Sequence, residues 1–460
     1  MASWRTFRKK KHLETRAVTS SVARNLRRQW RRHAQSLPIA IGNWRYSRRL
    51  RRDDPAQGWK IHVSATPLSA SAVFSHVRPI LRAQDVLFKV TSSLEFLAQL
   101  NSGLSGFSQT GKFITIYARS DREALDLARQ LHATTDQLRG PGIPFDARYR
   151  PNSLVYYRYG SFRPTAANAN GTISDPAGKS HPDQRAPGRA IPRWLDDPFQ
   201  RASAKANGGR AAGPLAPDYF PFKVISQRGK GGVYEAIDFS VSPARIVIIK
   251  EGRPHGETAW DGLDGFARVK HEARVLRVLR AAGIPVPEIF REFNRDTNRY
   301  LVLEKIEGRP LLPRNRTQPA RIAWQRAQRF LERLEPVLSG MHAAGWVWRD
   351  CKPSHIFLDR GVVRLLDFEG ACPIQETEVL AWGSANYLPR VYYESFTRHP
   401  GVFEDRHALG VIVFQLGTGK FPPGEKQNRA TLYRRTRCPD ILREKIDRLL
   451  SSKISERSVK

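Results

Sequence analysis

Cysteine and methionine are scarce in this sequence: three cysteines, Cys351, Cys372 and Cys438, and two methionines in 460 residues. The cysteines form no CxxC pair and no spaced framework. That excludes a disulfide-stapled fold and a zinc ribbon, and it predicts a cytoplasmic, reducing setting. No apolar run approaches the roughly 20 residues that cross a bilayer, so no transmembrane span is expected. The early apolar patch, Leu37 to Ile41, is too short and too late for a signal peptide. Acidic residues are also few, 43 against 77 lysines and arginines, giving a net charge of +34. The shortage is sharpest before Asp53, where Glu14 faces 16 lysines and arginines. Such a stretch attracts polyanions, whether nucleic acid, anionic lipid or acidic peptide. No groove-reading motif or aromatic interleaving points to a specific nucleic-acid partner.

What is present divides the chain into four segments. Residues 1–55 form a basic arm, expected to be helical from Leu13 to Arg32. Residues 56–163 alternate strand and helix patterns. WKIHVSA, VLFKVT, KFITIYAR and SLVYYRYGSF read as strands; 69–84, 93–103 and 121–138 read as helices, the last with an Asp121 cap. Residues 164–218 are rich in Pro, Gly, Ala and Asn and read as a long linker, with local order around IPRWLDDPF. Residues 219–460 regain periodicity. The fold class expected is α+β: an N-terminal α+β domain joined by the linker to a second, bilobal unit.

The second half carries phosphate chemistry. QRGKGGVY (227–234) has Gly229, Gly231 and Gly232, which let backbone close over phosphates. The strand RIVIIK ends at Lys250. The following helix places Val269, Glu272, Val275, Leu276 and Leu279 on one face. A carboxylate on an apolar face needs a partner, and Lys250 is the candidate. WRDCKPSHIFLDRGVVRLLDFEG (348–370) then sets Asp350 and Lys352 on a loop and Asp367 after a hairpin. This order resembles that of protein kinases. The resemblance implies ATP and Mg2+ as cofactors, a Lys250–Glu272 pair that orients the phosphates and a hinge near Glu304. It makes Asp350 the group facing the acceptor hydroxyl, Lys352 the cation beside the moving phosphoryl group and Asp367 a metal ligand. WGSANYLP (382–389) resembles the segment that cradles an acceptor peptide, and Asp405 the buried support of the catalytic loop. Three positions depart from the pattern: His355 stands at the usual second metal-binding asparagine, Glu369 replaces the glycine of DFG, and Trp348 precedes Arg349 where histidine is common.

In the first half, Lys60 and His62 share one face of a strand by their spacing of two. Lys89 sits mid-strand between Phe88 and Val90, Lys112 opens another strand, and Arg158 is ringed by Tyr156, Tyr157 and Tyr159. Two readings stand side by side: the cations converge on an anion, or each points to solvent. KIHVSATP, LFKVTSSLEFLAQLNSG, GKFITIYAR and LVYYRYGSF resemble the lyase domain of class III lanthipeptide synthetases, itself similar to phosphothreonine lyase effectors. DPAGKSHPDQRAP and IPRWLDDPF resemble that family's connection to its kinase domain. The resemblance implies a bifunctional dehydratase. It implies that a Ser/Thr-containing precursor peptide, its acidic leader recruited by the basic arm, is phosphorylated and that phosphate is then eliminated. It assigns Lys89 as base, His62 as acid, Lys60 as enolate-stabilising cation, and Arg158 with Lys112 as phosphate ligands. Members of that family carry a C-terminal cyclase of several hundred residues, so a separate cyclase or a merely dehydrated product is expected here. Two other classes compete: a Ser/Thr kinase whose N-terminal domain only binds phosphorylated or acidic partners, and a non-catalytic pseudokinase scaffold held by its arm.

Overall fold

Strands whose apolar residues alternate with polar ones build a seven-stranded antiparallel sheet from the first half of the chain. The computed structural model describes residues 21–163, 171–186, 190–201, 215–313, 317–359, 361–376, 379–380, 382–389 and 397–451. The strands are β1 (Ile39–Ile41), β2 (Trp44–Tyr46), β3 (Gln57–Val63), β4 (Leu87–Thr91), β5 (Ile114–Tyr117), β6 (Ala147–Arg148) and β7 (Val155–Ser161). They lie in the order β1-β2-β4-β5-β3-β7-β6. Helices α1 (Ser21–Gln35), α2 (Ala70–Ala83), α3 (Leu94–Asn101) and α4 (Asp121–Thr135) accompany them. Trp59, Ile61, Val63, Phe88, Val90, Ile114, Ile116 and Tyr157 form a core with Val73, Phe74 and Val77 of α2 and Leu127 and Leu131 of α4. Because side chains alternate along a strand, burying these residues sends Lys60, His62, Lys89, Tyr117 and Arg158 to the opposite face. Register brings them level: Lys60 lies opposite Tyr117 on one side and Arg158 on the other.

Four sequence-based expectations change here. Residues 13–20 of the expected arm helix lie outside the described residues, and from Ser21 onward the arm is part of the fold. Trp30 is 1% exposed, packs with Ala34 and Leu37 into the core, and donates its indole N–H to the Thr91 carbonyl at 3.2 Å. Ala23, Leu26, Trp30, Ala34 and Leu37 recur at helical spacing, a stripe obscured by the exposed arginines between them. The linker is likewise half structure. A hairpin of β8 (Thr172–Ser174) and β9 (Ser180–Pro182) is followed by buried Asp183 and by Phe199, whose ring stacks on Tyr157 at 3.9 Å. Its attachment uses ion pairs together with Ile191, Leu195 and Phe199, which pack on the core, and the surrounding Pro, Gly and Ala concealed them. The α4 cap is Ser120, which accepts the Glu123 N–H, not Asp121. Lys112 lies two residues before β5 begins.

The second half forms two lobes. A five-stranded antiparallel sheet, β10 (Tyr219–Arg228), β11 (Gly231–Asp238), β12 (Arg245–Gly252), β13 (Ile289–Arg295) and β14 (Asn298–Glu304), runs in the order β10-β11-β12-β14-β13. Helix α5 (Gly265–Ala281) packs on it, capped by Asp264 accepting from the Ala267 N–H. The other lobe is helical, with α6 (Trp324–Ala343), α7 (Phe403–Thr418), α8 (Lys426–Thr436) and α9 (Asp440–Leu450). One core joins the lobes, from Ala273 and Leu276 of α5 to Phe330 of α6, Phe414 of α7 and Ile446 of α9. No helix among the described residues is long and apolar enough to cross a membrane.

Trp30 separates an integral helix from a detachable arm. Trp30→Ala should destabilise the N-terminal domain by about 3–5 kcal/mol, read as a lower denaturant midpoint; an unchanged midpoint would mean that the helix merely rests on the surface.

Candidate active sites

The first site lies between the two lobes of the second half. β12 delivers Lys250, and α5 delivers Glu272 from its buried face. Lys250 Nζ donates to Glu272 Oε1 and Oε2 at 2.7 and 2.8 Å and to Asp367 Oδ1 at 3.1 Å. Burial opposes the Lys250 charge, but Asp367 and Glu272 overcome it and push its pKa up. Glu272 also accepts the Phe368 N–H at 3.1 Å, tying α5 to the turn that carries Asp367. Lys230 of the glycine-rich hairpin reaches across to Glu369 of the same turn. Glu304 does not point its carboxylate toward this cleft: it accepts from Arg364 at 2.7 Å and from the Glu288 N–H at 3.0 Å. A hinge role there is left to its main chain. Of the three glycines, Gly231 is needed for close approach to β12, since a Cβ would lie 1.7 Å from the Glu251 carbonyl.

The catalytic loop is held from below. Asp405 is fully buried and accepts the backbone N–H groups of Trp348 and Arg349 at 2.8 Å each, with His342 at 2.9 Å. These bonds hold Arg349 at φ +67°, a left-handed conformation rarely adopted without such support. Trp348 donates its indole N–H to the Asp367 carbonyl at 3.0 Å and stacks on Phe368. Lys352 Nζ sits 2.8 Å from Asp350 and 3.1 Å from Ser384 Oγ, and Ser384 donates to Asp350 at 3.2 Å. Ser384, within WGSANYLP, was not singled out from the sequence; only its proximity to Asp350 reveals it. Asp350, His355 and Asp367 each offer a ligand atom within 4.8 Å of one another. His355 Nε2 is 3.3 Å from Asp367 Oδ2, and burial keeps the imidazole pKa low, so it is available as a neutral donor. Two carboxylates and an imidazole fit a divalent cation, with the carboxylates suiting Mg2+ and the imidazole favouring a softer ion such as Mn2+.

The second site is the polar face of the seven-stranded sheet. Lys60, His62, Lys89, Lys112 and Arg158 converge there, so solvent-directed cations are not what the fold produces. Asp146, 1% exposed at its side chain, holds three of them: Oδ2 lies 2.6 Å from His62 Nδ1, and Oδ1 lies 3.2 Å from Lys112 Nζ and 3.9 Å from Arg158 Nε. Asp183 pairs with Arg158 and lies 3.9 Å from Lys60. Arg158 is thus held by a carboxylate from the former linker, which narrows its role as a free phosphate ligand. Lys89 is half-buried, its ammonium 4.1 Å from the Trp44 ring centroid. Burial, then Arg185 and Lys112, bring its pKa down to about 8. Burial also lowers Lys60 to about 7 and Lys112 to about 8. Burial with Lys112 and Lys60 takes His62 to about 3, against the pull of Asp146. Burial would raise Asp146, but Lys112, His62 and Arg158 hold it at about 2.

Three groups escaped the sequence reading: Asp146, Asp183 and Arg185. Arg185 acts electrostatically on Lys60, Lys89 and Lys112, and its buried Nε has no hydrogen-bond acceptor. All three lie in loops without periodicity, so no local pattern marked them. Five cations, Lys60, Lys89, Lys112, Arg158 and Arg185, thus face two carboxylates, Asp146 and Asp183. A surplus of charge around an orphaned guanidinium N–H is an anion site.

Comparison with known proteins accords with both halves. Residues 18–211 match the RamC N-terminal domain family, and residues 222–458 match the protein kinase domain family. The chain is 33% identical over 366 residues to the "Probable SapB synthase" of Streptomyces coelicolor, covering 75% of this chain and 38% of that protein. It is 30% identical to serine/threonine-protein kinase F of Synechocystis, covering 45% of each chain. It is 28% identical to serine/threonine-protein kinase PknA of Mycobacterium tuberculosis, covering 44% of this chain and 46% of that one. The chain therefore spans less than half the length of these relatives. The kinase match takes in more than half of the 460 residues, and with the lysine–glutamate pair and the Asp405-supported loop in place, the chain belongs to the protein kinase family.

Proposed function

We propose that this chain dehydrates Ser and Thr residues of a ribosomal precursor peptide in two steps, phosphorylation in the interlobe cleft and elimination of phosphate on the polar sheet face. The observation that carries the proposal is the crowd of cations around Lys89. A base for an α-proton must be neutral, and ordinary lysine is charged at pH 7. Burial beside Arg185 and Lys112 lowers that obstacle, bringing the Lys89 pKa down to about 8. The relative named a SapB synthase is consistent with a peptide substrate.

In the cleft, Asp350 accepts a hydrogen bond from the Ser or Thr hydroxyl and aligns it, while Lys352 offsets charge on the phosphoryl group. Lys250, locked by Glu272, grips ATP phosphates. Asp367, Asp350 and His355 would hold a divalent cation, which supplies charge neutralisation for the phosphates. On the sheet face, Arg185, Lys60 and Lys112 bind the phosphoester. Lys89 takes the α-proton, the electron pair forms the Cα=Cβ bond, and the Cβ–O bond breaks. His62 gives a proton to the departing oxygen, and phosphate leaves. In the empty pocket His62 is neutral. The dianionic phosphate cancels the field of Lys60 and Lys112, so the imidazole gains its proton only when substrate is present. Asp146 orients the ring and stabilises the imidazolium.

Lys89→Met should leave phosphorylation intact and slow elimination by roughly 10³-fold, so that phosphopeptide accumulates by mass spectrometry. Dehydrated product formed at the wild-type rate would reject the eliminating role and leave a kinase with a binding domain.

The working pocket carries one proton on His62 and none on Lys89. Counting this pair alone, the free enzyme between pH 3 and 8 also carries one, on Lys89. Elimination kcat/KM for a phosphopeptide should therefore be highest near pH 6.5, where the phosphate is dianionic, decline through about 7 as Lys60 loses its charge, and fall further above about 8 as the His62–Lys89 pair loses its proton. A rise through 8 would mean that His62 is not the acid.

His355 should tilt the cleft toward Mn2+. Titrated by binding of a fluorescent ATP analogue, wild type should need less Mn2+ than Mg2+, and His355→Asn should narrow that difference. Equal preference in both proteins would remove His355 from the metal site.

A further inference from the structure

The glycine-rich hairpin does not stand free over the cleft; it rests on the N-terminal domain. The Gly229 N–H donates to the Ser102 carbonyl at 3.1 Å. A Cβ on Gly229 would lie 1.6 Å from the Asn101 carbonyl oxygen. The backbone at Gly229 is not left-handed, so alanine would be unstrained there in an isolated hairpin. The requirement for glycine comes from the neighbouring domain. The surface it meets is rigid. Asn101 is fully buried, donating to the Ala65 carbonyl at 2.9 Å and accepting the Gly111 N–H at 3.1 Å.

A second contact lies in the connection from β12 to α5, residues 253–264. The Arg253 guanidinium sits 5.3 Å from the ring centroid of Phe107 in the N-terminal domain. Trp260 packs against that domain's core, with Arg27 stacked over it at 5.6 Å. The connection is bonded to the hairpin and to the start of α5: Arg253 N–H to the Lys230 carbonyl at 2.8 Å, Gly265 N–H to the Gly256 carbonyl at 3.0 Å and Phe266 N–H to the Arg253 carbonyl at 3.2 Å. Hairpin, connection and α5 therefore move together. This unit carries Lys230, paired with Glu369, and Glu272, paired with Lys250.

We propose that the N-terminal domain is a built-in positioning element for the kinase half: through Gly229, Phe107 and Trp260 it sets the hairpin and α5 in the arrangement that binds nucleotide. Phe107 and Trp260 are positioning residues, since neither touches the cleft. The inference goes beyond the dehydratase reading and rests only on its nucleotide-binding part.

The test is affinity of the full chain for N-methylanthraniloyl-ATP with divalent metal, with thermal melting to verify folding. Phe107→Ala and Trp260→Ala should each weaken binding by about fivefold or more, roughly 1 kcal/mol, and Trp260→Phe should restore most of it. Gly229→Ala should do the same, and its effect should largely disappear when added to Trp260→Ala, because both loosen the same interdomain seating. Amides of 265–272 should exchange faster in all three single variants. Affinity within twofold of wild type in Phe107→Ala and Trp260→Ala, with unchanged exchange, would overturn the proposal. Should Trp260→Ala fail to fold, Phe107→Ala and Gly229→Ala decide alone. If wild type binds the nucleotide but eliminates no phosphate, the dehydratase reading fails while this one is still judged by the affinity shifts.

Discussion

Packing like charges onto one buried sheet face is the constraint from which the rest of the N-terminal domain follows. Lys60, Lys112 and Arg158 are all buried, and mutual repulsion adds to the loss of hydration. Two carboxylates make the arrangement tolerable, and both arrive from outside the strands. Asp146 comes from the loop before β6, and Asp183 from the segment after β9. This explains why a Pro- and Gly-rich stretch folds back over the sheet at all: without Asp183, Arg158 would be a buried charge with only Asp146 nearby at 3.9 Å. Compensation is incomplete. Burial depresses the lysines first, and that residue of uncancelled charge adds to it, so the feature that weakens the domain is the one on which its proposed chemistry rests.

The two halves treat lysine in opposite ways with the same physics. Lys250 is surrounded by Glu272, Asp367 and, further off, Glu369, and its charge is reinforced despite burial. Lys89 is half-buried beside Arg185 and Lys112, and its charge is discouraged. One is thereby suited to clamp phosphate, the other to the proposed role of base. Neither outcome is a property of lysine; each is set by the sign of its neighbours.

Legibility followed the range of the interaction. The strand positions of Lys60, His62 and Lys89 could be read because period two is local. Glu272 announced its partner because a carboxylate among Val269, Val275 and Leu276 has to find one. Asp405 was readable by likeness to kinases. Asp146, Asp183 and Arg185 were not, because nothing near them in the chain says which strand they will meet. The arm hid α1 for a different reason: each turn offers one apolar residue among several arginines, and composition outweighed spacing. Gly229 was legible as a glycine but not for its reason. A phosphate-cradling turn and a domain contact ask for the same residue, and only the Asn101 carbonyl at 1.6 Å from the missing Cβ distinguishes them.

Charge also gives the two steps a direction. The cleft gathers four carboxylates, Asp350, Asp367, Glu272 and Glu369, around three ammonium groups, Lys230, Lys250 and Lys352. Its balance without metal is negative. The sheet face holds five cations against two carboxylates, so its balance is positive while its lysines are protonated. On the proposed dehydratase reading, a phosphopeptide formed in the cleft would lose its attraction there as the metal and spent nucleotide depart, and would meet an uncompensated positive field on the other domain. Its own dianionic charge then supplies what that pocket lacks, raising His62 toward its charged form. On that reading the intermediate would be repelled from where it is made and would complete the site where it is consumed.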